Sequence, residues 1–252
     1  MTFHLIHTRN LPILEQLQLE EALLRTDDRN FCLINEGSSP AIVMGISGKV
    51  QELVDTEKTA LAGVPIIKRF SGGGTVIVDE ETIFVTFICQ KNLHTFPAYP
   101  EPILKWSAAL YQAACPIITL RENDYVIGEK KCGGNAQYIK KDRWLHHTSF
   151  LWNWTSDRMG LLLHPKKTPA YRAGRAHEEF ICRLSEHVGD KTSWIDSLKE
   201  ELGRRYSVKE IRLEEVKPVI DRPHRQSSSS EPDPFAITAR AALEADCDNA
   251  WV

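Results

Sequence analysis

Short blocks of apolar residues alternate with stretches at helical spacing through most of the chain. "TFHLI", residues 2–6, reads as a strand. From Leu11 to Arg25 the apolar positions Ile13, Leu14, Leu17 and Leu24 share a helical face, and Pro12 suits a first turn. "FCLIN" and "AIVMG" follow as strands across the turn cluster "EGSSP". Residues 50–61 read as one helix ended by Gly63 and Pro65. "PIIKR", "TVIV" and "TIFVTFIC" are strand-like, and Ile103 to Ala114 is a helix with Leu104, Ala108 and Tyr111 on one face. Residues 117–127 and 136–152 read as strands around a second Gly-Gly loop. Helices return over 156–163, 176–187 and 192–205. No repeat period appears, and strands cluster between helices without a βαβ rhythm. The pattern predicts an α+β fold with a mixed, largely antiparallel sheet flanked by helices.

The run "RPHRQSSSSEPDP" reads as a polar linker. It divides a domain over residues 1–219 from a linker and tail over 220–252, whose last part, "FAITARAALEADCDNAWV", forms a short amphipathic helix or stays unordered. A net charge of -3 argues against sequence-independent nucleic-acid binding by the whole surface. No apolar run approaches the ~20 residues of a membrane span. "MTFHLIHTRN" is too short and polar for a signal peptide and lacks the Arg and Ser of a transit peptide, which points to the cytoplasm, or to the mitochondrial matrix in a eukaryote. None of the six cysteines falls in a C-x-x-C pair, so reduced, buried thiols are expected rather than a zinc site.

Candidate chemistry lies in three segments. In "KRFSGGGTVIVD" the glycines Gly72, Gly73 and Gly74 let a ligand approach the backbone without meeting a Cβ. Successive N–H groups there can form a nest for an anion, and Arg69 beside it suits a phosphate. The alternative is a glycine-rich turn. It is neither a Walker A loop nor a G-x-G-x-x-G opening a helix. In "ENDYVIGEKKCGGNAQ" the adjacent Lys130 and Lys131 would face opposite sides of a strand. One of them can meet charge developing on a phosphate or carbonyl oxygen. The alternative is a solvated pair near a turn. In "DRWLHHTSFLW" the side chains of His146 and His147 diverge and no third ligand is spaced with them, so a pocket-lining histidine fits better than a metal site. No residue is assigned to a metal.

Taken in order, "EEALLR", "AIVMGISGKVQEL", "KRFSGGGTVIVD", "NDYVIGEKKCGGNAQ" and "RWLHHTSFLWN" resemble the lipoate–protein ligase family of the biotin and lipoate ligase group, in a short branch like that of plants and some bacteria. The resemblance implies a fold akin to the catalytic core of class II aminoacyl-tRNA synthetases. It implies that lipoate or octanoate attacks the α-phosphate of ATP, with Mg²⁺, and that the acyl-AMP passes its acyl group to a lysine of a lipoyl domain. Such domains belong to 2-oxoacid dehydrogenase complexes and the glycine cleavage H protein. Carried over by position, Arg69, Gly74, Thr75, Val76 and Ile77 would hold the nucleotide, and Lys131 would be the catalytic lysine, also contacting the nucleotide. Gly72, Gly73, Asn123, Asp124, Gly134 and His146 would shape the substrate site. "AIVMG" and "FLW" would wall an acyl tunnel.

The chain departs from the family where many members carry His-Asp-x-Gly-Asn: here Val78, Asp79, Glu80, Glu81 and Thr82 stand. "HHG" is replaced by "HHT". Full ligases add a C-terminal accessory domain, which some relatives obtain as a separate chain; little chain remains after Val219 for one here. A related branch transfers octanoyl or lipoyl groups through a cysteine without ATP. Cys115, 16 residues before Lys131, and Cys132 are the candidates for that chemistry. Biotin ligation lacks its basic Gly-Arg-rich loop. A silent module that only recruits lipoyl domains is the non-enzymatic alternative.

Overall fold

The computed structural model describes residues 1–165 and 168–231. Its larger sheet has eight strands in the order β11-β1-β2-β6-β10-β9-β8-β7. These are β1 (Thr2–Arg9), β2 (Asn30–Glu36), β6 (Thr82–Gln90), β7 (Thr119–Arg121), β8 (Asp124–Ile127), β9 (Lys130–Ile139), β10 (Arg143–Leu151) and β11 (Ser207–Glu210). β1 runs parallel to β2 and β11, and every other neighbour is antiparallel. A second sheet has the order β12-β4-β3-β5. It comprises β3 (Ala41–Met44), β4 (Ile66–Lys68), β5 (Val76–Val78) and β12 (Ser229–Ser230), with only β3 and β4 parallel. The expected α+β fold with a mixed, largely antiparallel sheet is present.

Alternation along β6 sorts the core. Ile83, Val85, Phe87 and Cys89 join Tyr111, Trp144 and Phe150 on one face of the large sheet. Ile88 joins Ile6, Leu33 and Leu145 beneath helix α1 (Ile13–Thr26) on the other. A strand with both faces covered reads as an unbroken apolar run, as "TIFVTFIC" does. Helix α4 (Pro100–Ala114) opens with proline in its first turn and packs on α7 (Lys191–Arg205). Asp190 caps α7 by accepting from the Ser193 N–H.

Several elements are divided more finely than the pattern suggested. The helix expected over 50–61 is two, α2 (Val50–Leu53) and α3 (Thr56–Ala62). Val54 leaves the helix to bridge Leu162, and Asp55 starts the next one by accepting the Lys58 N–H. The strand expected over 117–127 is the hairpin β7–β8, turned at Glu122, whose φ is 49°. Over 156–163 only α5 (Ser156–Met159) is helical. Over 176–187 there is α6 (His177–Phe180), then Ile181 pairs with Lys131, and a 3₁₀ turn follows at Leu184–Glu186. A four-residue helix, α8 (Leu213–Val216), follows β11. Gly133 and Gly134 are not in a loop at all: they lie inside β9, paired with Phe150 and Ser149 of β10.

The chain after Val219 returns to the domain. Arg222 donates to the Thr26 carbonyl at 3.0 Å, and Ser229 and Ser230 pair with Lys68 and Ile67. Residues 222–231, expected as a free linker, are therefore held against α1 and β4. The expected tail helix lies outside the described residues.

Candidate active site

A cleft of about 630 Å³, counting its open mouth, lies between β3 and β5, the first turn of α1, and the middle of β9 and β10. That is within the usual range of ligand clefts, about 300–1,000 Å³. One part is apolar, formed by Ile13, Leu17, Val43, Val76, Val78 and Phe84. The other is polar, with Arg69, Gly74, Thr75, Lys131, Gly134 and Asn135. Such a division suits a ligand with an oily tail and a charged head.

The glycine loop forms one wall of the polar end. Arg69 is only 5% exposed. Its Nη2 donates to the carbonyls of Gly72 and Gly74, both at 2.8 Å, and its Nε to Ser71 Oγ at 3.1 Å. Engaging these carbonyls leaves the loop's N–H groups as its remaining polar face. Burial pushes the Arg69 pKa down to about 10, which leaves it cationic at neutral pH. No carboxylate is among its hydrogen-bond partners, so the charge raises the anion affinity of the loop. Gly73 has φ +101°, and a Cβ there would sit 2.8 Å from Arg69 Nη2. Thr75 Oγ1 is buried without a protein partner, a group awaiting a ligand or solvent hydrogen bond.

Lys131 faces this loop across the cleft. Its ammonium lies 2.7 Å from Asp124 Oδ1, and Asp124 Oδ2 accepts from the Tyr171 hydroxyl at 2.8 Å. Glu122 fixes the segment carrying Tyr171 by accepting the N–H groups of Ala170 and Tyr171. One nearby cation adds to the positive field. Arg172 is 3% exposed, and its Nη2 has no partner. His177, held down to about pKa 4 by burial and by Arg172, His164 and Lys131, stays neutral beside them. Lys131 thus brings an ammonium, paired with Asp124, to the cleft wall opposite the loop.

At the apolar side, His147 joins Glu20 to the glycine loop. Its Nδ1 is 3.0 Å from Glu20 Oε2, and its Nε2 is 3.2 Å from Ser71 Oγ. Glu20 is fully buried and also accepts from Thr86 and Gln16.

The expected residues divide accordingly. Arg69, Gly74, Thr75, Val76, Lys131 and Gly134 line the cleft. Gly72 and Gly73 complete the loop through the carbonyl and the turn just described. Asp124 pairs with Lys131, and the Asn123 carbonyl accepts from the Asn135 amide at 2.6 Å. Ile77 turns away from the cleft into the core with Ile42 and Met44. His146 also turns away: it is fully buried, with Nε2 2.8 Å from the Tyr125 hydroxyl. Its neighbour on β10, His147, takes the cleft face. Of the expected acyl walls, Val43 of "AIVMG" lines the cleft, whereas Phe150 and Trp152 of "FLW" belong to the main core. Cys115 and Cys132 are buried, and burial raises both thiol pKa values. Neither lines the cleft.

Glu20, His147, Tyr171 and Arg172 were missed from sequence. Only alternation along β10 could have separated His147 from His146, and it needs one known neighbour to say which face is which.

Known proteins resemble this chain in sequence and in fold. Residues 12–213 match the family described as lipoyl protein ligase A/B catalytic domain. A relative named inactive lipoate–protein ligase 2, from Plasmodium falciparum, is 26% identical over 240 residues, covering 71% of this chain and 62% of its own. The lipoate–protein ligase LplJ of Bacillus subtilis is 27% identical over 158 residues, covering 61% and 47%. The chain thus spans roughly half to three-fifths of the length of these relatives. Among solved structures, one described as a bi-partite lipoate protein ligase and its E2 lipoyl domain, from Thermoplasma acidophilum, superposes with a TM-score of 0.74 at 16% identity, over 88% of this chain and 91% of that one. With the family matched over most of its length, this chain belongs to the lipoyl protein ligase A/B catalytic domain family.

Proposed function

We propose that the chain is a lipoate–protein ligase-type acyltransferase that joins lipoate or octanoate, through an acyl-AMP, to a lysine of a lipoyl domain. The observation that carries this reading is the opposition of Lys131 to the Arg69-backed glycine loop across one cleft with an apolar end. The acyl chain would lie against Leu17, Val43 and Phe84, and the phosphate between the loop N–H groups and Lys131.

In the first half-reaction a carboxylate oxygen bonds to the α-phosphorus of ATP and pyrophosphate leaves. In the second, the acceptor amine bonds to the acyl carbon and AMP leaves. Both steps load negative charge onto oxygens facing Lys131, and a preoriented ammonium stabilises that charge. Asp124 and Tyr171 fix the ammonium before substrate arrives, so little reorganisation remains. Mg²⁺ would enter on the phosphates, which is how that ion is usually held in nucleotide sites. Among the described residues no group of three or more His, Cys, Asp or Glu is placed to hold a metal by itself.

The bi-partite description of the Thermoplasma structure supports a division of labour. A separate accessory protein would assist activation of free lipoate, while this chain transfers preformed lipoyl-AMP. The E2 lipoyl domain in that same description makes a 2-oxoacid dehydrogenase lipoyl domain the first acceptor to try, with glycine cleavage H protein second.

The test offers a lipoyl domain and this chain three donors separately: ATP with lipoate, lipoyl-AMP, and octanoyl acyl carrier protein. The mass of the acceptor reports which one works. We expect lipoyl-AMP to modify the acceptor lysine, and Lys131→Ala to lower the rate by about 10² or more, as loss of a charge-stabilising donor does. Transfer from octanoyl acyl carrier protein alone, abolished by Cys115→Ser or Cys132→Ser, would replace this reading with the thiol route. No modification from any donor would leave a silent module, the state that the name of the Plasmodium relative describes for that protein.

A further inference from the structure

Two adjacent glutamates of α1, Glu20 and Glu21, are both fully buried, and each reaches the glycine loop by its own route. Glu20 does so through His147 and Ser71. Glu21 does so through a segment from the far end of the chain. Its Oε2 accepts the N–H groups of Ser227 at 2.8 Å and Ser228 at 3.1 Å. Ser228 Oγ in turn accepts the Phe70 N–H at 3.2 Å, across 158 residues of sequence. Ser229 and Ser230 then pair with Lys68 and Ile67, and the Glu231 N–H donates to the Ile66 carbonyl at 2.8 Å. The Glu231 carboxylate also lies 3.4 Å from Lys68 Nζ. Within this polar run Ser228 is only 4% exposed, while Ser229 and Ser230 face solvent.

We propose that residues 226–231 are a strap that sets the shape of the glycine loop, with Ser228 its positioning residue. The inference rests on the ligase-type reading for what the loop binds. Phe70 is where β4 gives way to the loop, and Arg69, one residue earlier, carries the guanidinium that holds the carbonyls of Gly72 and Gly74. A run of three glycines has more backbone freedom to lose than any other sequence, so a loop held in shape beforehand binds an anion more tightly. Ser228 is suited to this because its backbone N–H is bound by Glu21 while its hydroxyl oxygen faces Phe70. With serine replaced by alanine, the buried Phe70 N–H would lose its acceptor and the corner would loosen.

The test compares the full chain with Ser228→Ala and Ser228→Thr. Amide hydrogen exchange at Phe70–Gly74 is measured without ligand, and KM and kcat are measured for transfer from lipoyl-AMP. We expect Ser228→Ala to speed exchange at Phe70 about tenfold, the loss of one hydrogen bond, and to raise KM for lipoyl-AMP by a similar factor, with kcat within about twofold. Ser228→Thr, which keeps a hydroxyl, should restore both. Unchanged exchange would overturn the proposal. So would faster exchange with unchanged KM, or a loss confined to kcat. Should Ser228→Ala fail to fold, Glu231→Pro removes the N–H given to Ile66 at the strap's end and must move the same readouts in the same direction. Should the wild-type chain neither bind nor transfer lipoyl-AMP, the ligase reading fails, and the exchange measurement alone decides the strap.

Discussion

Gly133 and Gly134 stand side by side in β9 and exclude a Cβ for different reasons. A Cβ on Gly133 would sit 2.8 Å from the ring of Phe150, a side chain that is itself fully buried. A Cβ on Gly134 would sit 3.2 Å from Cε and Nζ of Lys131, the far end of a long, flexible side chain. Gly133→Ala is therefore a packing change, with an expected loss of about 1–3 kcal/mol in urea unfolding. Gly134→Ala should barely move the unfolding midpoint, because the lysine end can shift. That shift is what matters, since even a few tenths of an ångström moves the ammonium relative to Asp124 and the loop. Acyl transfer should fall by about tenfold or more, as misplacement of a catalytic group does. If Gly134→Ala lost stability and kept activity, Lys131 would not be the group that meets the reacting oxygens. Sequence alone could put glycines beside a lysine but could not say which one crowds the site, because that depends on the facing strand.

Elements were legible wherever one physical signal dominated. α1, α4 and α7 have long apolar stripes with recognisable starts, and β6 is a long β-branched and aromatic run. The joints were less legible, because short-range bonds compete there with periodicity. The split of α2 from α3 turns on Asp55, whose side chain accepts the Lys58 N–H at 3.1 Å. The Lys58 ammonium also lies 2.8 Å from Asp55 and holds its carboxyl below the usual range. Asp55→Ala removes this cap and should cost about 1 kcal/mol, read as a lower urea midpoint. Asp55→Asn should recover most of that loss, because the amide oxygen still accepts. If Asp55→Ala left the midpoint unchanged, the bridge of Val54 to Leu162 would be what ends α2. The candidate site was legible in the same uneven way. The glycine loop and Lys131 were visible as local motifs. His147, Glu20 and the strap were not, because they reach the site through pairings between distant segments.

At the scale of the whole molecule, buried neutral histidines couple folding to pH. His146 is fully buried between the sheet and α4, and burial, with some help from His147, lowers its pKa to about 3. The Gln137 amide lies 3.1 Å from its Nδ1 and donates there, so Nε2 carries the proton and faces the Tyr125 hydroxyl at 2.8 Å. No carboxylate is among these partners to reward a second proton. The unfolded chain takes up that proton below about pH 6.5, whereas the folded chain resists until about pH 3. Between those values the unfolded state holds more protons, so stability falls as pH falls. At one pKa unit per 1.36 kcal/mol, His146 alone removes about 2 kcal/mol by pH 5. His94 and His177, held to about pKa 4 mainly by burial, act in the same direction but less strongly because each is closer to water. Urea midpoints measured from pH 7.5 to 5 should fall steeply below pH 6.5. His146→Gln loses packing and hydrogen bonds at every pH but cannot take up the proton, so its deficit relative to wild type should shrink toward pH 5. A deficit that stayed constant across that range would mean that His146 takes up its proton as readily in the folded chain as in the unfolded one, and that burial does not hold the polar network joining α4 to β10 neutral.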